Sequence, residues 1–414
     1  MSALRILQVA HDHPDWTPGG TEIVARDLAR ALAARAGVTA RLLVAATALQ
    51  RPEAEPGTLG AQGDDFVLRT GAYDRFMMSR LDGTGWVDSL AAVLAEVRPE
   101  VVHLHGIDRL GGEIVPVLRR LAPGCRIVMT LHDYQPICAN DGLMLTLREG
   151  ARCAGAAPDA CRRCFPEQGA ARHALRRAHL VAVLRGVDLF LAPSAFLRDR
   201  YLAWGIEPAR IRVMPNAVPV ARAAADEPRR GPRYRFAFFG TIARHKGALV
   251  LLDAAARLAR AGDDVAVTLH GGLGFADAAF RADFAARLAA AAPVAQALGP
   301  YPRDEVVGLM ARADWVVVPS IWWENAPLVI EEARAAGRPV ICSGIGGMAE
   351  RVAPGVDGLH VPPGDAAALA ETMRAATDPE LWRRLARKTA PADHVAFVDA
   401  HLALYRSLLA RVPA

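Results

Sequence analysis

The chain has 414 residues, of which 52% are hydrophobic and 22% are charged. This length is too great for one hydrophobic core and fits two domains, and the composition excludes a disordered or fibrous protein. The net charge of +5 allows phosphate-bearing ligands or an anionic membrane face as partners. Because the chain lacks basic runs interleaved with aromatic residues, we expect no nucleic-acid partner.

Short runs rich in Val, Ile and Leu alternate with amphipathic helical stretches along the whole chain. This pattern predicts an α/β protein built from parallel sheets with helices on both faces. The strands predicted for the first half are Leu4 to Ala10, Val101 to His105, Arg126 to Leu131, Val187 to Ala192 and Ile211 to Pro215. Those predicted for the second half are Arg235 to Phe239, Val265 to His270, Val294 to Leu298, Trp315 to Pro319, Pro339 to Cys342 and Leu359 to Pro362.

A polar, basic and proline-containing segment, 220–233, separates the two halves and is predicted to be a linker. It divides the chain into a Rossmann-like domain over 1–219 and a second Rossmann-like domain over 234–385, followed by helices over 386–414. Two doubly wound domains carry their ligand crevices at the carboxyl ends of their strands, so a deep interdomain cleft is the expected active site. No apolar run approaches the roughly 20 residues of a membrane span, and the start predicts a strand and not a leader peptide. We therefore expect a cytoplasmic protein.

The segment 319–337 reads PSIWWENAPLVIEEARAAG, in which Glu332 follows Glu324 after seven intervening residues. Glu324 follows an apolar strand, and Glu332 falls one to two turns into the next predicted helix. Asn325 is predicted to cap that helix, with Pro327 in the first turn, where proline is tolerated. The amides that follow would form a phosphate site at the helix N-terminus. One acid on each side of a phosphate site suits a nucleotide-sugar.

This segment resembles the glutamate-pair motif of the family 4 retaining glycosyltransferases, which have the GT-B fold. The resemblance implies that Glu324 contacts the donor sugar and that Glu332 contacts the ribose. It also assigns the donor site the residues between them, Asn325, Ala326, Pro327 and Leu328. The match continues through SGIGGMAE (343–350), GVDGL (355–359) and PGD (363–365), and it implies that the last helix, around 394–411, crosses back to the first domain.

Three further segments of the second domain match this family. In FFGTIARHKG (238–247), Gly240 and Lys246 resemble the element that binds the donor diphosphate, although Thr241 stands where the family has arginine. Arg244 is a candidate for the missing cation, and a solvated loop lysine is the alternative for Lys246. Gly271 allows a ligand to approach the backbone. The resemblance places Tyr301 or its neighbours at the nucleotide base, and packing is the alternative role for Tyr301.

In the first domain, Gly19 and Gly20 precede a predicted helix and form a candidate anion site for the donor diphosphate or the acceptor. The alternative is a simple turn. His132 follows a strand on the predicted cleft side and is the candidate polar catalytic group. Family members carry a histidine here that contacts the transferred sugar, and a structural strand-end histidine is the alternative. His103 and His105 are expected to line the crevice.

Four of the six cysteines lie in the insertion over 138–164, with the spacing Cys138-x14-Cys153-x7-Cys161-x2-Cys164. In a cytoplasmic chain this set suits a tetrahedral structural zinc better than disulfides. Four unlinked thiols and an iron–sulfur cluster are the alternatives. Many family members resemble this chain in carrying such an insertion, whose placement suggests that it braces a loop near the acceptor side.

The resemblance thus implies a retaining glycosyltransferase that moves a sugar from a nucleotide-diphosphate donor to a hydroxyl acceptor, in polysaccharide or glycoconjugate synthesis. His132, Glu324 and Lys246 are the expected catalytic residues, and catalysis is expected to need no cofactor. A saccharide or lipid-linked acceptor and peripheral contact with the inner membrane face are expected. The alternatives are a nucleotide-sugar epimerase of the same fold and a non-catalytic nucleotide-sugar-binding protein. A nicotinamide dehydrogenase is disfavoured, because no strand–GxGxxG–helix fingerprint occurs.

Overall fold

The structure, a computed structural model, describes residues 3–81, 85–219, 234–274 and 276–410. The chain divides into two compact units, which are described in turn. The first unit comprises Met1–Asn216 and Asp393–Ala414, and the second comprises Ala217–Ala392. The linker predicted over 220–233 lies outside the described residues.

An eight-stranded sheet forms the centre of the first unit, in the order β10-β9-β8-β7-β1-β2-β4-β3. Neighbouring strands are parallel, except that β3 pairs antiparallel with β4. The strands are β1 Leu4–Ala10, β2 Val38–Ala46, β3 Leu59–Gln62, β4 Asp65–Arg69, β7 Val101–His105, β8 Arg126–Thr130, β9 Leu189–Ala192 and β10 Ile211–Val213, with a separate antiparallel pair, β5 Tyr73–Asp74 and β6 Ser79–Arg80.

Helices cover this sheet, and a helix from the far end of the chain completes the unit. Every residue of β7 is buried, as expected for a central parallel strand that is covered on both faces. The helices are α1 Gly20–Ala33, α2 Gly85–Val97, α3 Ile114–Leu121, α4 Pro158–Cys161, α5 Gly169–Leu184, α6 Ala195–Trp204 and, after the second unit, α14 His394–Ala410.

The second unit is a six-stranded, fully parallel sheet in the order β13-β12-β11-β14-β15-β16. Its two apolar clusters are the cores between the sheet and its helices. The strands are β11 Tyr234–Phe239, β12 Val265–His270, β13 Ala295–Gly299, β14 Trp315–Val318, β15 Val340–Ser343 and β16 Gly358–Val361. The helices are α7 Ala248–Ala261, α8 Ala278–Ala290, α9 Val306–Met310, α10 Leu328–Ala335, α11 Gly346–Arg351, α12 Ala366–Ala375 and α13 Pro379–Ala386.

The two parallel-sheet bodies confirm the predicted α/β class. The strands over 4–10, 101–105 and 265–270 have the predicted bounds, and the other predicted strands differ by one or two residues at one or both ends. The prediction missed β2 and the strands β3 to β6, which lie between α1 and α2. Within the described ranges, every helix is too short or too polar to serve as a membrane span.

Candidate active site

In the second unit, the loop after β11 contacts the loop after β14 through its backbone. Gly247 has φ +75°, and a Cβ there would lie 1.9 Å from the carbonyl oxygen of Pro319. The amide of Ile321 also donates a hydrogen bond of 2.9 Å to the carbonyl of His245. Only glycine allows this approach at this backbone conformation. This contact places the neighbouring Lys246 next to the acid-bearing segment 319–327, which we call the Glu324 loop.

Lys246 and Glu324 form an ion pair, with 2.7 Å between Nζ and Oε1. Ser320 donates a second hydrogen bond of 2.8 Å to the same carboxylate oxygen. Glu324 is 5% exposed, and this burial favours its neutral form. The charge of Lys246 and these hydrogen bonds outweigh the burial, so the pKa of Glu324 lies below its ordinary value. The ammonium group also lies 5.1 Å from the centre of the Trp322 ring. Glu324 is therefore an ionised carboxylate held in a fixed position.

Two glycines at the start of α11 support the other side of the Glu324 loop. A Cβ on Gly347 would lie 1.4 Å from the carbonyl oxygen of Asn325, and one on Gly346 would lie 2.9 Å from that of Glu324. The amide of Gly347 donates a 2.8 Å hydrogen bond to the carbonyl of Glu324. The paired glycines thus let α11 pack directly against the loop backbone.

Helix α10 begins at Leu328, and its N-cap residue is Pro327. The prediction that Asn325 caps this helix is therefore wrong by two residues. Asn325 and Ala326 belong to the Glu324 loop, where the carbonyl of Asn325 packs against Gly347. The first-turn amides of α10 still follow the loop directly, in the position that the phosphate-site prediction requires.

Glu332 lies on α10 and forms its own ion pair, with 3.1 Å between its Oε1 and Nη1 of Arg303. Burial raises the pKa of Glu332 above its ordinary value, and the charge of Arg303 only partly opposes this. Tyr301, two residues before Arg303, packs edge-on against the Phe239 ring at 5.5 Å. The neighbouring acid Glu331 has a different environment, because it pairs with Arg334 and Arg351.

The remaining predicted donor residues of the second unit lie at the ends of β11 and β12. Gly240 and Gly271 touch, since a Cβ on Gly271 would lie 1.8 Å from the carbonyl oxygen of Gly240. Arg244 is directed elsewhere: its guanidinium lies over the Phe280 ring at 5.4 Å and 4.0 Å from Asp283. Its side chain is 62% exposed. The structure therefore does not bring Arg244 to the Lys246–Glu324 pair.

In the first unit, α1 begins at Gly20 with Gly19 as its N-cap. A Cβ on Gly19 would lie 2.4 Å from Oε2 of Glu22, so this carboxylate lies at the helix start. Glu22 pairs with His11 at 2.7 Å. Burial lowers the pKa of His11, but the charge and hydrogen bond of Glu22 outweigh it and raise the pKa to about 9. The predicted anion site therefore already contains an acid and a protonated imidazole.

His132 lies two residues beyond β8 and contacts the last residue of β7, with 2.9 Å between its Nε2 and Nδ1 of His105. Burial is the main cause that lowers the pKa of His132, to about 3. At neutral pH its imidazole is therefore uncharged. His103 and His105 are fully buried behind it, and burial holds both of their pKa values well below the ordinary range.

All four cysteines of the insertion line one cavity, together with His173. Burial raises the pKa of Cys138 to about 11. Among the described residues, however, no group of three or more His, Cys, Asp or Glu side chains is placed closely enough to hold a metal ion. The donor types fit a structural zinc, but the side chains are not gathered around one point. The zinc site stays a prediction.

Three residues that interact with predicted site residues of their own unit were not assigned a role from the sequence: His11, Glu22 and Arg303. His11 directly follows β1, and the carboxyl end of a strand in a doubly wound sheet is a usual place for ligand-binding groups. Glu22 stands three residues after Gly19, in the first turn of the helix that the two glycines were predicted to precede. Arg303 has no such local signal, because its contact with Glu332 spans 29 residues.

Two family models match the chain. The model described as Glycosyltransferase Family 4 matches residues 18–222, and the model described as Glycosyl transferases group 1 matches residues 233–378. The chain belongs to glycosyltransferase family 4. The glutamate pair and the glycine–lysine element both lie within the second match.

Curated relatives of this chain include a glycogen synthase from Mycobacterium tuberculosis, 32% identical over 51% of this chain and 51% of the relative. A D-inositol 3-phosphate glycosyltransferase from Catenulispora acidiphila is 31% identical over 55% of this chain and 59% of the relative. The matched part thus spans only about half the length of these relatives.

Solved structures resemble this chain along nearly its whole length. Anabaena HepE in complex with UDP and glucose has a TM-score of 0.67 at 18% identity, covering 98% of this chain and 99% of that one. Sucrose-phosphate synthase from Thermosynechococcus elongatus has a TM-score of 0.70 at 22% identity, with the same coverage. These similarities show the fold, which is GT-B as predicted.

Proposed function

We propose that this glycosyltransferase retains the anomeric configuration as it moves a sugar from a nucleotide-diphosphate donor to a hydroxyl group. The observation that carries the proposal is the arrangement of two acids around the start of α10. Glu324 is ionised and paired with Lys246 before the helix, and Glu332 is paired with Arg303 on the helix. A diphosphate between them would meet Lys246 and the first-turn amides of α10, while the acids accept from sugar and ribose hydroxyls.

The chemistry follows from where charge develops. As the bond between the anomeric carbon and the diphosphate oxygen breaks, negative charge grows on the leaving group. Lys246 and the amides of α10 stabilise that charge. The acceptor oxygen forms its bond to the anomeric carbon on the same face, and its proton passes to the departing diphosphate. Because the acceptor oxygen attacks the anomeric carbon directly, no carboxylate nucleophile is needed. Glu324 serves instead to orient the sugar.

His132 serves as a neutral hydrogen-bonding partner of the transferred sugar in this proposal. Its low pKa makes it an acceptor and not a general acid at neutral pH. Gly19 and Gly20 help to bind the donor diphosphate or the acceptor in this proposal. Protonated His11 balances the charge of Glu22 at this position. Tyr301, Gly240 and Gly271 are proposed to border the nucleotide. Arg244 would have to leave Phe280 and Asp283 to take part.

UDP-glucose is the first donor to test, because a structural neighbour is described in complex with UDP-glucose. The named relatives act on different acceptors: one is called a D-inositol 3-phosphate glycosyltransferase and another a 2-deoxystreptamine glucosyltransferase. We therefore propose a hydroxyl of a sugar or cyclitol as the acceptor.

The test is a panel of UDP-, GDP- and ADP-sugars, scored by thermal shift, slow donor hydrolysis and transfer to sugar and cyclitol acceptors. NMR of the product's anomeric signal then determines whether the configuration is retained. We expect Glu332→Ala to weaken donor binding, while Glu371→Gln, a change at an exposed acid on α12, leaves it unaltered. An inverted product would overturn retention. Undiminished donor binding and turnover in Glu332→Ala would overturn the site.

The same panel separates two other functions. An epimerase of this fold would convert the donor into an isomer without any acceptor. A nucleotide-sugar-binding protein would show a thermal shift with a donor but no turnover, and Glu324→Gln would leave that shift unchanged.

A further inference from the structure

A continuous chain of buried hydrogen bonds runs behind His132, from β8 through β7 and β1 to helix α14. His132 Nε2 lies 2.9 Å from His105 Nδ1, and His105 Nε2 lies 2.8 Å from Oε1 of Gln8. The amide nitrogen of Gln8 donates to the hydroxyl of Tyr405 at 3.3 Å. That hydroxyl lies 2.6 Å from Nδ1 of His103. The last hydrogen bond joins His103 Nε2 to the hydroxyl of Thr130, at 2.7 Å. All of these groups belong to the first unit.

Because the groups in this hydrogen-bond chain are buried, the position of each proton determines whether its neighbours are satisfied. Gln8, His103 and Tyr405 are all 0% exposed, and His105 is 1% exposed. A buried polar group without a partner costs several kcal/mol in an apolar environment, so each donor here needs an acceptor. Burial holds His103 and His105 uncharged at neutral pH. Each neutral imidazole carries one proton and therefore donates from one nitrogen and accepts at the other.

Only the Gln8 side chain has a fixed donor end and a fixed acceptor end. A hydroxyl or a neutral imidazole can reverse its role by moving a proton, whereas an amide must rotate by half a turn. With Oε1 of Gln8 toward His105, His105 must carry its proton on Nε2. Its Nδ1 is then an acceptor, so His132 must donate from Nε2. The opposite amide orientation would reverse every bond and move the proton of His132 to Nδ1.

We propose that Gln8, held by Tyr405, sets the tautomer of His132 and so keeps the lone pair of its Nδ1 as the acceptor for a substrate hydroxyl. Gln8, His105 and Tyr405 are positioning residues, since they act through His132. The substrate part rests on the proposed function. The tautomer part depends only on the hydrogen-bond chain. The chain also gives helix α14 a role in the site, because Tyr405 receives the donor end of the amide.

The direct test is ¹⁵N-histidine NMR of the whole protein, in which long-range couplings report which imidazole nitrogen carries the proton. In the unaltered protein we expect His132 and His105 to be protonated at Nε2. Tyr405→Phe removes the hydroxyl that orients the amide, and Gln8→Met removes both ends of the amide at similar volume. Both variants should show His132 in a mixture of the two tautomers. Leu408→Met, a buried change on the same helix, should leave the tautomer as it is.

Activity provides the second readout. In Gln8→Met and Tyr405→Phe we expect kcat for transfer to fall roughly 10- to 100-fold, by analogy with the loss of hydrogen-bond partners behind metal-ligating histidines. Donor KM and the donor-induced thermal shift should stay the same. Gln8→Glu retains an acceptor for His105 and should recover part of the kcat lost in Gln8→Met.

Two results would overturn the inference: His132 protonated at Nδ1 in the unaltered protein, or an unchanged tautomer in both Gln8→Met and Tyr405→Phe. Failure of the proposed function looks different. No donor would then be bound or turned over, while the tautomer measured by NMR would still be determined by Gln8.

Discussion

At the scale of single residues, the pKa values of the two acids of the glutamate pair are shifted in opposite directions. Both are buried, but Glu324 accepts from Lys246 and Ser320 at 2.7 and 2.8 Å, whereas Glu332 faces Arg303 at 3.1 Å. The pKa of Glu324 is accordingly lowered and that of Glu332 raised. The difference suits their proposed roles, since a fixed anion orients the sugar and a ribose needs only a hydrogen-bond acceptor.

Lys246→Met should destabilise the second unit, because it leaves Glu324 buried without its cation. Removing one partner of such a pair costs about 3–5 kcal/mol. The double variant Lys246→Met/Glu324→Gln should recover most of the stability and none of the transfer activity. Urea unfolding together with a transfer assay measures both effects.

Arg75→Met is the matched control for Lys246→Met. The Arg75–Asp141 pair has the same 2.7 Å separation, but its side chains are 71% and 62% exposed. Its loss should cost no more than about 1 kcal/mol. Equal costs for the two substitutions would contradict the electrostatic account of the Glu324 site.

The His11–Glu22 pair predicts a pH dependence of stability. The folded-state pKa of His11 is raised from 6.5 to about 9, so its contribution is complete below pH 6.5 and is lost as the pH rises through 9. The free energy of unfolding should therefore fall over this range, by at most about 1.4 kcal/mol per pH unit for this group. His11→Gln should remove this part of the slope. Urea unfolding between pH 6 and 10 measures it, and an unchanged slope in the variant would count against the pair.

The sequence predicted the acids and Lys246 because local motifs carry them. Their partners could not be predicted in the same way. Arg303 and Glu332 are 29 residues apart, and Gln8 and Tyr405 are 397 apart, so only the fold brings them together. The cap of α10 was misplaced because Asn325 is a good N-cap by type, yet its carbonyl packs against Gly347 in a loop that continues to Pro327.

At the scale of elements, glycines hold the Glu324 loop between its neighbours. Gly247 lets the loop after β11 touch Pro319, and Gly347 lets α11 touch Asn325. In the sequence, Gly346 and Gly347 belong to the stretch 343–350 that matches the family, but the sequence could not name the surface that they approach. The position of the two acids therefore depends on two close backbone contacts as well as on ion pairs.

Gly347→Ala should displace the Glu324 loop, because the new Cβ would lie 1.4 Å from the Asn325 carbonyl. We expect a loss of stability of about 1–3 kcal/mol, as for overpacked cores, and a larger loss of donor binding. Gly308→Ala is the control, since Gly308 lies in α9 with open space around it. That change should be neutral or slightly stabilising. Thermal unfolding and a donor thermal shift distinguish the two variants.

The zinc content of the purified protein tests the role of the four-cysteine insertion. The spacing of the four cysteines predicts about one zinc per purified chain, for which the thiols that line the cavity would have to draw together around the ion. Elemental analysis and thermal unfolding with a chelator test this. Cys161→Ser should lose zinc and stability, whereas Cys342→Ser, a buried thiol of the second unit, should retain the zinc. A metal-free protein with four reactive thiols would rule the site out.

At the scale of the whole molecule, the two sheets were predictable because their central strands are continuous apolar runs. Of the strands that the prediction missed, β2 is a largely buried run of nine residues whose pattern was available, whereas β3 has three exposed residues and β5 and β6 have two residues each. Such short edge elements carry little hydrophobic pattern of their own. The assignment of α14 to the first unit came from the family resemblance, and its place in the hydrogen-bond chain from the structure alone.

Removal of residues 393–414 should destabilise the first unit selectively. Tyr405 is 0% exposed and Phe397, Val398 and His401 are also buried, so the deletion uncovers apolar surface and leaves Gln8 and His103 without their partner. Hydrogen exchange should show lost protection in β1 and β7 and retained protection in β11 and β14. Equal loss of protection in both units would contradict this division.

The return of α14 to the first unit also has a consequence for synthesis. A ribosome releases the chain from its amino end, so residues 217–392 emerge in full before α14 does. The second unit can acquire its native packing while the first still lacks the helix that covers Gln8 and His103. The amino-terminal sheet is then the later of the two to mature, and nascent chains stalled before 393 should retain a protease-sensitive amino-terminal half.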